Sequence, residues 1–110
     1  MSEFLIRLQR GPCVLLDGGL GSEMIARGLP PGSPPDLWTL KRPEAVRSIH
    51  RSYVEAGSDA VHANTFGANR VRLSRFGLEG HLAEINRDAV RLARESGTRF
   101  LLADIGPTGE

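Results

Sequence analysis

The sequence predicts an α/β fold built on a parallel sheet, and three observations carry that prediction. Short apolar runs occupy residues 13–17, 59–66 and 99–106; amphipathic helical patterns fill the intervals at 43–56 and 81–96; and the order is strand, helix, strand, helix, strand. Short buried strands separated by such helices join through right-handed crossovers and lie parallel.

The first run, "CVLLD" at 13–17, lies between Gly11-Pro12 and Gly18-Gly19. A continuous apolar stretch of that length suits a strand buried on both faces. Residues 20–42 lengthen the first crossover with a short helix around "LGSEMIARG" and a proline-rich loop, "LPPGSPPDLW". In "PEAVRSIHRSYVEA", 43–56, Val46, Ile49, Tyr53 and Ala56 share one stripe at helical spacing, with Arg47, Arg51 and Glu55 away from it. Pro43 suits the first turn, Glu44 complements the helix dipole, and Gly57 can close the far end in a left-handed conformation. "DAVHANTF", 59–66, is the second strand. The second helix, 81–96, carries a stripe of Leu82, Ile85, Ala89 and Leu92, with Gly97 in the stop position. "RFLLADIG", 99–106, is the third strand and again ends in an acid near a glycine.

Parallel strands joined in this way present their C-terminal ends on one edge. Asp17-Gly18-Gly19, Asn64-Thr65 and the stretch from Asp104 to Gly106 are therefore expected to be neighbours. In barrels and in open α/β sheets alike, ligands bind at that edge, and N–H groups uncovered by glycine can hold an anion there.

Composition narrows the function classes. The 110 residues are 40% apolar and 25% charged, which describes one globular unit or a piece of a larger one. A net charge of +1, from 14 basic and 13 acidic residues spread along the chain, supplies no field for steering nucleic acid or acidic lipid. No segment approaches the roughly 20 apolar residues needed to span a bilayer, and the apolar stretch near the N-terminus, interrupted by Arg7, is too short for a secretory signal. The single cysteine, Cys13, excludes an internal disulfide framework and fits a reducing cytoplasm. Cys13 starts the first strand, opposite the polar edge, and is read as packing.

The motifs leave several readings open. Gly18, Gly19 and Gly21 do not form a dinucleotide or phosphate loop, because Met24 stands where a third glycine would and no GK[ST] follows. The stretch suits a tight turn and a ligand site equally. Asp17 beside bare amides offers one more possibility: the acid can grip an ammonium while the amides of Gly18 and Gly19 grip a carboxylate, as an amino-acid ligand requires. Asn64 and Thr65 suit a helix cap or a pocket wall. His62, two residues before Asn64, faces the same way and is read as a satisfied structural histidine. Trp38 walls the pocket or pins the long loop. Arg70, Arg72 and Arg75 are spaced as an exposed helical face. Lys41, the one lysine, is placed in a loop away from any strand end, which argues against Schiff-base chemistry in an aldolase-like barrel.

The blocks "LLDGGLGSEM", "RPEAVRSIHRSYVEAGSDAVHANTFGANRVRLSRFGLE", "EINRDAVRLAR" and "ADIGPTG", taken in order over residues 13–109, resemble the N-terminal part of the homocysteine S-methyltransferase family. "NTFGANRVRLSRFGLE" is most similar to the methionine-synthase type. The resemblance implies a (β/α)8 TIM barrel whose site lies at the C-terminal face. It implies a zinc ion that keeps the homocysteine sulfur as thiolate, since a free thiol has a pKa near ~8.5. It also implies a methyl donor of the methylfolate or methylcobalamin type; betaine-dependent members carry an aromatic where this chain has Gly67. Asp17, Gly18, Gly19, Asn64 and Thr65 would line the homocysteine site.

The family's zinc ligands are three cysteines from late strands, and this chain has none of them, so zinc ligands are expected outside it. About three parallel strands with helical crossovers are present where the family needs eight. Residues 1–110 are thus expected to form the N-terminal segment of a homocysteine-binding barrel domain, inactive alone, in a cytoplasmic enzyme that can oligomerise. The alternative is a non-catalytic α/β fragment that assembles with a partner through an open sheet edge.

Overall fold

The computed structural model describes residues 2–110. Helix α1 (Glu3–Arg10) opens the chain, and Ser2 caps it by accepting the Leu5 N–H. Helices α2 (Gly21–Ala26), α3 (Asp36–Lys41) and α4 (Pro43–Glu55) follow, then strand β1 (Ala60–His62), helix α5 (Arg70–Ser74), a 3-10 turn at Glu79–His81, helix α6 (Leu82–Arg94) and strand β2 (Phe100–Leu102).

β1 and β2 pair in parallel, with Ala60 opposite Phe100 and His62 opposite Leu102. The predicted first strand is reduced to a parallel bridge between Leu16 and Ala60, supported by the Asp17 N–H on the Ala60 carbonyl and the Ala60 N–H on the Leu15 carbonyl. The other two strands are also shorter than their predicted spans, because beyond His62 and Leu102 the backbone turns out of the ladder to build the rim. The three segments still run the same way in chain order, as a right-handed α/β unit requires. The described residues form a mixed α/β arrangement with parallel strand pairing.

The long helices follow their stripes. Val46 and Ile49 of α4, and Ile85, Ala89 and Leu92 of α6, are buried. Gly57 and Gly97 take positive φ, 112° and 83°, at the helix stops. Ala56 is exposed at the C-cap of α4, off the predicted stripe. Met24, Leu29, Trp38, Val46, Ile49 and Leu92 form the main core beneath the sheet's first crossover. Trp38 therefore pins the segment, and the Arg42 guanidinium covers its ring at 4.7 Å.

Two helices, α1 and α3, lie where the sequence predicts none. α1 packs Phe4 edge-on against Phe100 at 5.3 Å, and Arg7 fastens it by donating to the Pro12 and Cys13 carbonyls and to Asp59. α3 begins directly after Pro34-Pro35, whose fixed φ suits a first turn and does not stop a helix. Lys41 ends α3 and is not a loop residue. Cys13 is exposed, contrary to the packing role read for it.

Candidate active site

The three segment ends meet. Asp17, Gly18, Gly19, Asn64 and Asp104 line one cavity of about 420 Å³ at the C-terminal edge of the sheet, together with Asp36, His62, Gly67 and Arg72 from the surrounding loops and helices.

Each polar residue at a segment end holds another in place. Asp17, whose side chain is 3% exposed, accepts from His62 twice: Nδ1–H donates to Oδ1 at 2.7 Å and the backbone N–H donates to Oδ2 at 3.1 Å. A carboxylate can only accept, so Nδ1 carries a proton, and in the neutral ring Nε2 is the bare acceptor. Nε2 faces Asp104 Oδ1 at 3.8 Å. Asp17, His62 and Asp104 thus form an acid, imidazole, acid row across the three segments.

The Asn64 amide donates to the Pro35 carbonyl and to Thr39 Oγ1, both at 3.0 Å, tying the end of β1 to α3. Thr65 lies just behind the cavity. Its hydroxyl donates to the Asp104 carbonyl at 2.8 Å and accepts the Asp104 N–H at 2.9 Å, which locks the segment after β2. The cap of α5 is Asn69, which accepts the Arg72 N–H at 2.9 Å, and neither Asn64 nor Thr65 serves that purpose.

Gly18 and Gly19 are exposed, and among the described residues their N–H groups have no protein acceptor. Tyr53 of α4 supports them from behind: its hydroxyl donates to the Gly19 carbonyl at 2.8 Å. A Cβ at Gly18 would fall 2.9 Å from that hydroxyl, so any larger residue there would displace the Tyr53 ring tip from its present contact.

Asp36 carries no signal of a site in the sequence. It is 4% exposed, and its Oδ1 has no hydrogen-bond partner. Burial raises its pKa above the ordinary carboxylate range, while its own backbone N–H and the charge of Arg72 oppose that rise. Gly67 makes the room, since a Cβ there would lie 2.6 Å from Asp36 Oδ2. An aromatic side chain at 67 could not coexist with this placement. Arg72, read as part of a solvated face, is half-buried and lines the cavity near the Phe66 ring. Neither residue had a sequence signal, because "PPDLW" reads as a loop and the arginines repeat as a surface helix would.

The cavity can therefore receive a small zwitterion. Bare amides and Arg72 offer donors to an anion, and Asp17, Asp36 and Asp104 make the floor and walls attractive to a cation. Among the described residues no group of three His, Cys, Asp or Glu side chains is arranged to hold a metal ion, and Cys13 sits at the opposite end of its segment.

The chain is similar to known proteins in sequence and in fold. The model of the family described as homocysteine S-methyltransferase matches residues 14–110. Methionine synthase from Mycobacterium tuberculosis is 31% identical over an alignment covering 83% of this chain and 9% of that protein. The homocysteine methyltransferase MmuM from Escherichia coli, in its metallated form, superposes with a TM-score of 0.77 at 26% identity, over 96% of this chain and 42% of that one. Its oxidised form superposes with a TM-score of 0.82 at 24% identity, which speaks to the fold alone. The chain thus spans less than half of each relative.

Proposed function

The chain belongs to the homocysteine S-methyltransferase family, and on that premise we propose that it supplies the amino-acid-binding part of an enzyme that methylates homocysteine to methionine. The observation that carries the reading is the pairing, in one cavity, of two unoccupied glycine amides with buried acids.

In this reading the amides of Gly18 and Gly19 hold the substrate carboxylate. Asp17, through the lone pairs His62 leaves free, and the unpartnered Asp36 draw the ammonium. Asn64 and Thr65 set the walls, by fixing α3 and Asp104 respectively. The methyl donor is of the methylfolate or methylcobalamin type, in keeping with a methionine synthase among the relatives. Zinc is the thiolate-stabilising group of the family; no ligand set for it lies among the described residues, and in this reading other residues of the enzyme would supply its ligands. Leu15, Leu16 and Ile105 are exposed beside the outer edges of the sheet, where strand pairing would continue in a (β/α)8 barrel, which supports the reading of residues 1–110 as its first portion. No helix among the described residues is long and apolar enough to cross a membrane; a cytoplasmic location is proposed with the enzyme.

Calorimetric titration of the intact protein with L-homocysteine tests this. Asp17→Ala is expected to weaken binding at least about tenfold, by removing one charge-assisted contact and releasing His62. Unchanged affinity would take Asp17 out of the site, and no homocysteine binding by the unmodified protein would sink the function itself.

A further inference from the structure

We propose that His62 is the base that takes the thiol proton of the bound amino acid. The proposal rests on the reading of the ligand as homocysteine and adds a group that composition and spacing had marked as structural.

Geometry carries it. Asp17 accepts from both the ring Nδ1–H and the backbone N–H of His62, so the ring is fixed in orientation and tautomer by one buried carboxylate. An imidazole held in this way presents a bare Nε2 as acceptor, the arrangement general bases use. No donor among the described residues occupies that nitrogen, and the ring is about one-third exposed, so a ligand in the cavity can reach it. Asp104 Oδ1, at 3.8 Å, lies beyond hydrogen-bond distance of Nε2 but within ion-pair distance, so its charge favours a protonated ring. The imidazolium would then stand between two carboxylates.

The reach is right. Adjacent strands lie about 4.8 Å apart, and Nε2 points from the second segment toward the third. A ligand whose carboxylate rests on the Gly18 and Gly19 amides of the first segment must reach across at least about one strand spacing to bring its sulfur toward Nε2. Four bonds separate the carboxyl carbon of homocysteine from its sulfur, which is about 5 Å when extended.

The step balances within the two groups. The S–H bond breaks, its electron pair stays on sulfur, and an N–H bond forms at Nε2; the imidazolium later loses that proton to solvent. The charged and titratable groups around His62 are Asp17 and Asp104 on the flanking segments, Asp36 and Arg72 across the cavity, and His50 and Tyr53 of α4, both within the field of Asp17.

The test follows ionisation of homocysteine bound to the intact protein, read from the ultraviolet absorbance of the sulfur anion between about pH 5 and about pH 9, a range bracketing imidazole and thiol titration. His62→Gln is expected to raise the midpoint of bound-thiol ionisation by about one pH unit, about tenfold less thiolate below the midpoint, because the proton acceptor is lost while any metal effect on the sulfur is kept. Methionine, a thioether with no proton to lose, should bind the variant as it binds the parent, which shows an intact cavity. An unchanged ionisation curve in a variant that still binds methionine overturns the proposal. If His62→Gln does not fold, the parent decides by nitrogen NMR of the His62 ring: homocysteine should add a proton at Nε2 where methionine adds none, and a ring that homocysteine leaves as methionine does refutes the base. Failure of the unmodified protein to bind either amino acid removes the parent reading, and this one with it.

Discussion

Replacing His50 by leucine should stabilise the protein, and increasingly so as the pH falls. His50 sits on the inner face of α4, fully buried, and neither ring nitrogen has a hydrogen-bond partner. A buried polar atom without a partner costs about 1–3 kcal/mol, and replacement by an apolar side chain of similar size is neutral or favourable. A gain of about 1–2 kcal/mol is therefore expected at pH 8, after allowing for imperfect fit of the branched side chain. Burial also pushes the His50 pKa down, with the charge of Asp17 only partly opposing it. The folded value thus lies below the unfolded value of about 6.5, and between the two the unfolded chain binds a proton that the folded chain refuses. Stability of the parent is full above the unfolded value and falls with pH below it, by up to about 1.4 kcal/mol per pH unit from this group. The leucine variant lacks that loss. Equilibrium urea unfolding of both proteins from about pH 8 to about pH 5, taken as the difference at each pH, isolates His50 from His62 and His81. Destabilisation at pH 8 by more than about 1 kcal/mol, together with a parallel pH dependence, would show that the ring nitrogens are satisfied and that the account is wrong.

Other perturbations follow from the same packing. Asp36→Asn should raise stability at neutral pH, since the folded-state pKa of Asp36 lies above its unfolded value; the gain should vanish as the pH falls below about 3.8, where the parent carboxyl is neutral in both states. The same variant should bind homocysteine more weakly, and equal or tighter binding by calorimetry would remove Asp36 from the site. Asn64→Ala severs two hydrogen bonds to α3 and leaves Thr39 without its donor. A loss of about 1–3 kcal/mol in chemical denaturation is expected, and a loss below about 0.5 kcal/mol would mean that α3 is held by Trp38 alone.

Much of the fold could be read along the chain because it depends on near neighbours. The stripe of Val46 and Ile49, the stripe of Ile85, Ala89 and Leu92, and the stopping glycines at 57 and 97 are properties of a dozen successive residues, and each behaves as its periodicity dictates. α3 and α1 escaped for a local reason as well. Prolines at 34 and 35 mark a loop only until one of them becomes the entry to a helix, and α1 buries no residue fully, so its pattern carried no core signal.

What the chain by itself determined was the meeting place: parallel segments joined by helices must deliver Asp17, Gly18, Gly19, Asn64 and the Asp104 stretch to one rim, whatever their side chains then do. What only the tertiary structure decided was the occupation of each group. Asp17 faces His62 across 45 positions, Asn64 reaches Pro35 across 29, Thr65 holds Asp104 across 39, and Asp36 is left with an oxygen that nothing satisfies. Hydrogen bonds are short-ranged and directional, so partners so distant in sequence are chosen by packing, and periodicity has no term for them.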